Sequence, residues 1–406
     1  MDSLINAAAR ALAAADPLAA LNFIALRDDA PALALRGVAM AQLGDLARAK
    51  LLIRRAARSF GPREAVARAR CAVAEAEIAL VSRDLNWPVK TLEAARATLQ
   101  ARGDTANAAH AHYLAIRRLI LIGHIKEAER LLETFDPAPL SPALRAAHEL
   151  VVAGIALRHL KTKPAREAFG RAGQAARAAH IPGLIAEVET AALALTTPAA
   201  RAIRRGEETL LLLHEVEALL VSKSLVVDVG RAAVRQGETV VALGSRPVLF
   251  ALARALADAW PGNASREMLL ARAFRARHAD ESHRARLRVE IGRLRKALSK
   301  IAGIHATTDG FTLTLLNARE VAVLAPSDDE EHAALLALLA DGEAWSSSAL
   351  ALALQTSQRT VQRALDDLAA RGKVQTIGKA RARRWMTPPL PGFPTSLLLT
   401  GPLPGG

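Results

Sequence analysis

Between Arg284 and Lys300 the chain carries seven Arg or Lys residues and a single acid, Glu290. Their spacing matters as much as their number. Leu287, Ile291, Leu294 and Leu298 recur at i, i+4, i+7 and i+11, which on a helix makes one apolar stripe. With that stripe buried, Arg286, Val289, Arg293 and Lys296 face the opposite way, with Gly292 among them. Arg284 and Arg295 project close to the stripe and are expected to pack over the core or to pair with acids. A guanidinium can donate two parallel hydrogen bonds to guanine O6 and N7, whereas an ammonium more often meets phosphate as a point charge. A helix anchored on one face and cationic on the other therefore suits a polyanionic groove. The plainer reading of such a charge run is a solvated surface face.

A second cluster lies near the C-terminus, in SQRTVQRALDDLAARGKV from Ser357 onward. Val361, Leu365 and Leu368 form its stripe and leave Arg359, Gln362 and Arg363 opposite, with Ser357 and Thr360 at the helix start. The run KVQTIGKARARRWM then reads as two strands around a cationic tip with Lys379, Arg381, Arg383 and Arg384. Over residues 328–386 eight basic residues balance eight acidic ones, so protein contact or dimerisation is the competing reading for this unit. The signs are segregated, however: every basic residue lies from Arg359 onward.

The elements that would hold the first helix are legible around it. SLVVDVGRAAVRQGETVVAL alternates apolar and polar residues about a turn at Gly237, which predicts short strands. RPVLFALARALADAW and SREMLLARAFRAR follow as helices, broken by Pro261-Gly262-Asn263. Ser265 can cap the second of them, and Glu267 sits in its first turn beside the positive end of the helix dipole. After the cationic helix, HATTDGFTLTL supplies two strands around Asp309-Gly310.

Residues 220–316 resemble the winged-helix DNA-binding domain of OmpR/PhoB-type regulators. The matching residues are Leu225-Val-Val-Asp228, Leu243-Gly-Ser-Arg-Pro-Val-Leu-Phe250, Ser265-Arg-Glu-x-Leu269, Val289-Glu-Ile-Gly-Arg-Leu-Arg-Lys-Ala-Leu298 and Gly310-Phe-x-Leu313. Arg288 and Glu290 stand where that family usually has Asp and His, and the wing is short, which bears on base preference. No receiver domain precedes this region, so phosphorylation of an Asp is not implied. The resemblance implies double-stranded DNA as partner, with Arg286, Arg288, Val289, Arg293, Lys296 and Thr308 as its contacts. The run S-x-R-T-V-x-R-x-L-x-x-L from Ser357 is similar to the small winged helices of DeoR- and MarR-like regulators. There Ser357, Arg359, Thr360, Gln362, Arg363, Lys379, Arg381 and Arg383 are the expected contacts. Helical repeats joined to such domains are similar to antibiotic-regulatory and virulence activators, in many of which the order is reversed.

Residues 1 to about 200 read as helix, with breaks at Asp16-Pro17, Gly61-Pro62, Trp87-Pro88, Asp136-Pro137 and Pro182-Gly183. LGDLARAKLLIRRA and IGHIKEAERLLETF resemble each other, and DLNWPVKTLEAARATL and LKTKPAREAFGRAG do so more weakly. Their aligned positions 44, 85, 123 and 161 are 41, 38 and 38 residues apart. The pattern is similar to tetratricopeptide-type helical hairpins, with a longer period and most of their aromatic and Pro positions missing. Stacked hairpins bury a continuous core and present a concave face to a partner.

The 406 residues carry a net charge of +14, which favours a polyanionic partner, although a high-GC genome also tends to produce Arg-rich composition. No apolar run reaches the length of a membrane span and the N-terminus lacks the pattern of a signal peptide, so a cytoplasmic protein is expected. Cys71 is the only cysteine, which excludes an internal disulfide and a Cys-rich zinc site; it is expected to pack as a small apolar residue. The histidines form no metal-ligand motif, and His110 and His112, two apart on a helix, are expected at the core edge or surface. No phosphate loop, dinucleotide turn or nucleophile elbow is present, so catalysis and cofactors have no support.

The fold expected is mainly α and multidomain: an α-helical repeat array over residues 1–205, winged helices over 206–322 and 328–387, and a Pro/Gly-rich tail over 388–406. The expected function is that of a bacterial, nucleoid-associated, sequence-specific DNA-binding transcriptional regulator that reads DNA with its two winged helices and whose array binds a protein or small-molecule effector or forms a homodimer. The alternatives are a helical adaptor whose winged helices contact protein, and a nucleoid-type binder of low specificity.

Overall fold

A computed structural model describes residues 2–14, 16–82, 84, 87–134, 141–274, 281–326, 332–339, 344–354, 356–370, 374–377 and 383–386. The chain is mainly helical with small sheets, and it divides into two compact units: residues 1–193 with 335–406, and residues 194–334. Among the described residues no helix is long and apolar enough to cross a membrane.

The first unit begins with α1 (Ser3–Ala13), α2 (Pro17–Ile24), α3 (Ala30–Gln42), α4 (Leu46–Ser59), α5 (Ala65–Val81) and α6 (Val89–Ala101). It continues with α7 (Thr105–Leu121), α8 (Ile125–Glu133), α9 (Pro142–Arg158), α10 (Thr162–Ala179) and α11 (Pro182–Ala192). Acids start several of these helices. The carboxylates of Asp16, Asp29, Asp45 and Asp104 accept from the backbone N–H groups of Ala19, Ala32, Arg48 and Asn107, satisfying donors that the helix itself leaves free. The turns closing α3, α7 and α9 share one pattern. Asp45, His124 and Lys161 donate back to the carbonyls of Met40, Leu119 and Ala156, and the residue before each has a left-handed backbone: Gly44, Gly123 and Leu160. Three of the four aligned sequence positions thus fall in these turns; position 85 lies outside the described residues.

Cores run through the helices in succession. Residues Cys71, Ala74 and Ile78 of α5 pack with α1 to α4, whereas Val73, Ala76 and Leu80 of the same helix pack with α6 and α7. Helix α7 is shared in the same way: Ala108, Ala111 and Leu114 join that second cluster, and Ala109, Tyr113 and Ile116 join α8 and α9. A helix buried on two sides has little polar face left, which explains the Ala-rich, weakly patterned sequences of α5 and α7.

It also corrects the expectation for two histidines. His110 and His112 are both buried, because each side of α7 meets a neighbouring helix. His110 Nε2 lies 2.8 Å from Glu77 Oε2 on α5, and His112 Nε2 lies 2.8 Å from the Leu131 carbonyl on α8. Burial holds His112 below the ordinary imidazole range, so it is neutral there and donates to Leu131. Cys71 is buried as expected, and burial pushes its thiol up to about 12.

The second unit opens with β1 (Ala200–Arg204), β2 (Glu207–Leu211) and α12 (Leu213–Val221), then β3 (Leu225–Asp228), β4 (Ala233–Gln236) and β5 (Thr239–Ala242). Next come α13 (Pro247–Ala259), β6 (Asn263–Ser265), α14 (Arg266–Phe274), α15 (Glu281–Leu298), β7 (Ala302–Ala306), β8 (Gly310–Leu315) and β9 (Val321–Pro326). Six strands form a sheet in the order β2-β1-β9-β3-β4-β5, with β9 parallel to β3 and the other pairs antiparallel. Strand β9 has no counterpart among the strands expected from the sequence, the last of which lie in HATTDGFTLTL. It carries no alternation because Val321 through Ala325 are all buried in the middle of the sheet. Ala200 pairs with Pro326, so the first and last strands of this unit lie side by side.

Leu225, Val227, Val321 and Val323 of this sheet share a core with α13, with Leu269 and Leu270 of α14 and with Leu287, Ile291, Leu294 and Leu298 of α15. The stripe read from the sequence is therefore the face that is buried, at 2% exposure or less for each residue. Strands β6, β8 and β7 form a separate three-stranded sheet in that order.

The C-terminal part of the first unit repeats the order of α13 to β8 in short form. It has α16 (Ala333–Leu339), a bridge at Trp345, α17 (Ser347–Ala353), α18 (Gln358–Ala370), β10 (Gln375–Ile377) and β11 (Arg384–Met386). As β6 pairs with β8, so Trp345 pairs with Trp385 on β11. Leu335, Leu339, Trp345, Leu350, Val361, Leu365, Leu368 and Trp385 are buried, and they belong to the same apolar cluster as Val73, Leu80, Leu92, Leu99 and Leu114 of α5 to α7. Residues 327–331 and the tail from residue 388 lie outside the described residues.

Candidate nucleic-acid interface

Helix α15 turns its polar side outward. Arg286, Arg288, Val289, Arg293 and Lys296 are all exposed, and Val289 stands at 54% exposure between the cations. The guanidinium of Arg286 lies 4.8 Å from the Phe274 ring centroid, so the last residue of α14 steadies it. Arg293 donates to Glu290 at 2.8 Å one turn back. Arg295 instead donates through Nε to the Ile304 carbonyl at 2.9 Å, tying α15 to β7. Arg295 is thus exposed and engages a backbone carbonyl, rather than packing over the core or pairing with an acid.

The turn between β7 and β8 brings Thr308 to an exposed position beside the start of α14. Ser265 accepts from the Met268 backbone N–H at 3.2 Å, as a cap for that helix. Two residues not anticipated from the sequence act here: Arg266, whose guanidinium donates to the carbonyls of Thr307 and Thr308, and Asn263, which accepts from the Thr307 hydroxyl at 2.8 Å. Nothing in a local pattern pairs residues more than forty apart; only the β6–β8 register brings them together. Across residues 220–316 sixteen Arg or Lys stand against eight Asp or Glu, so this region is far more basic than the chain as a whole.

On α18, Arg359, Thr360 and Arg363 are exposed and Gln362 is partly so, opposite the buried Val361, Leu365 and Leu368. Two of the expected contacts have local duties. Ser357 Oγ accepts from the Thr360 backbone N–H at 3.1 Å and lies 2.8 Å from the Thr360 hydroxyl, so both residues build the helix start. Gln362 donates to Asp366 at 3.0 Å, which lays its amide along the helix. Arg383 is exposed at the start of β11, 6.0 Å from the Trp385 ring centroid. Lys379 and Arg381 lie outside the described residues.

The two clusters belong to different units. Among the described residues no group of three or more His, Cys, Asp or Glu is placed to hold a metal ion. No protein-family model, curated protein or solved structure matches this chain.

Proposed function

We propose that this protein is a sequence-specific, DNA-binding transcriptional regulator of bacterial type. In this reading α13 to β8 and α16 to β11 are two winged helices, with α15 and α18 as their recognition helices and the β7–β8 and β10–β11 hairpins as their wings. The helices of residues 1–193 are a repeat array that receives a protein or small-molecule signal, or a second copy of the chain. No cofactor, metal or catalytic group takes part. The protein works in the cytoplasm on the nucleoid.

One observation carries this reading. The third helix of a helix–strand–helix–helix–hairpin order buries Leu287, Ile291, Leu294 and Leu298 and turns Arg286, Arg288, Val289, Arg293 and Lys296 to solvent. Arg286 and Arg293 are the candidates for base edges, Val289 for a thymine methyl, and Lys296 and Arg288 for phosphate. Titration of duplex DNA at fixed salt tests it. Arg293→Ala should weaken binding by about 1–3 kcal/mol, roughly five- to 150-fold. Unchanged affinity would remove α15 from the interface.

A second reading is a helical adaptor whose helix-turn-helix units contact protein. It is favoured by the core that α16 to α18 share with α5 to α7, which makes that unit part of the helical body. It predicts no steep salt dependence of DNA binding and a protein partner that co-purifies.

A further inference from the structure

The cations of the second unit do not all face outward to a ligand, and Arg266 is the clearest exception. It is the first residue of α14, half-buried, and not among the exposed cations of α15. Its guanidinium donates to the Thr307 carbonyl at 3.1 Å and to the Thr308 carbonyl, and lies 5.7 Å from the Phe311 ring centroid. Its backbone N–H donates to the Asp309 carbonyl at 3.0 Å. One residue thus holds three consecutive carbonyls of the β7–β8 turn. A carbonyl engaged by a guanidinium on the inside of a turn fixes where the side chains of that turn stand on the outside.

Neighbouring contacts close the same clamp. The Thr307 hydroxyl donates to Asn263 Oδ1 at 2.8 Å and accepts from the Gly310 N–H at 3.0 Å, and the Thr307 N–H donates to the Gly310 carbonyl at 3.0 Å. Gly310 lets the hairpin come this close. A Cβ built on it would lie 1.9 Å from the Ala264 carbonyl oxygen, a contact no side chain could accept. The hairpin is therefore not a loose flap carried behind α15, but a turn bolted to the start of α14.

We propose that Arg266 is the positioning residue of the DNA-facing wing. It fixes Thr308 and the turn backbone relative to α15, and its own charge, directed at backbone carbonyls, makes no contact to phosphate. This rests on the DNA-binding reading above, and it separates two roles that charge alone would merge. A phosphate-contacting Arg contributes to counterion release; a positioning Arg contributes through the geometry of other groups.

The two roles predict different salt behaviour. In the full chain, Arg266→Ala should lower affinity for duplex DNA by roughly tenfold, because the freed hairpin must be ordered on binding. The slope of log K against log salt should stay at its wild-type value. Loss of a phosphate contact would instead reduce that slope by about 0.9. Asn263→Ala, which removes no charge, should reproduce the loss of affinity in weaker form with the same slope. Amide hydrogen exchange on the free protein supplies the independent readout: both substitutions should speed exchange at Thr307 and Gly310 while leaving β3 and α13 protected. If Arg266→Ala leaves Thr307 and Gly310 as protected as before, or lowers the slope by about one, the positioning role is overturned. Absence of DNA binding by the unsubstituted chain would instead count against the DNA reading itself, and the exchange measurement would still decide whether Arg266 holds the turn.

Discussion

Arg293 and Glu290 form an ion pair at 2.8 Å across one turn of α15, with the Arg side chain 64% exposed and the Glu side chain 12%. The acid thus sits under the strongest candidate for base recognition and holds its guanidinium against the helix. A pair with one partner this exposed adds little to stability, about 0–1 kcal/mol, so its removal should be read in binding rather than folding. Glu290→Gln should leave thermal stability nearly unchanged and raise affinity for duplex DNA by roughly three- to tenfold at low salt, because a negative charge leaves the side proposed to face phosphate. Equal or weaker binding by this variant would mean that Glu290 orients Arg293 rather than restrains it.

One buried and one half-buried imidazole make the first unit sensitive to acid. Burial holds His112 and His148 below the ordinary value of 6.5, and His148 Nδ1 lies 3.2 Å from the Tyr113 hydroxyl. Burial also raises the Tyr113 hydroxyl, which stays protonated and donates to His148. The unfolded chain therefore binds protons more readily than the folded one. The stability these neutral rings contribute is complete above about pH 6.5 and is lost as pH falls below it toward their folded values. Denaturant midpoints measured from pH 7.5 to pH 5.5 should fall, and His112→Gln, whose amide can still donate to Leu131, should flatten the dependence. An identical pH profile in that variant would contradict the assignment.

His180 ends α10 in a left-handed conformation with φ of 56° and an exposed side chain. Glycine adopts that backbone without strain, so His180→Gly should stabilise the first unit by about 0.5–1 kcal/mol. His180→Ala should not. A raised melting midpoint for both, or for neither, would show that the strain is not there.

The C-terminal unit and α5 to α7 share one apolar cluster, and Leu339 within it is fully buried. Leu339→Asp places a carboxylate in that cluster and should loosen both sides of it. Hydrogen exchange should rise in α18 and also in α6, with no change in β3 and α13 of the other unit. Faster exchange confined to residues 333–386 would mean that the C-terminal unit folds independently of the helices.

Much of the candidate interface was legible because helical period reports which face is buried. The stripes at Leu287, Ile291, Leu294 and Leu298, and at Val361, Leu365 and Leu368, name their own solvent faces. Turn chemistry did the same for the hairpin at Asp309-Gly310. Periodicity does not name the partner that an apolar face meets, and so the shared core with α5 to α7 was invisible. Strand β9 was hidden for a related reason: its partners β1 and β3 lie about a hundred residues or more upstream, and burial throughout left no alternation to read. The buried His110 and His112 were misplaced because α7 is flanked on two sides, a fact of packing rather than of sequence. Arg266 looked like one more cation until the β6–β8 register put the turn carbonyls beside it.

If α15 reads DNA sequence as proposed, selection from a random duplex pool will show it. The full chain should enrich a defined motif and bind it at least 10³-fold more tightly than unselected duplex, the lower end for specific regulators. Arg293→Ala should relax the preference at one position of that motif and leave the others in place. Enrichment of no motif, or a specific-to-nonspecific ratio near one, would contradict the account and leave a cationic surface without sequence recognition.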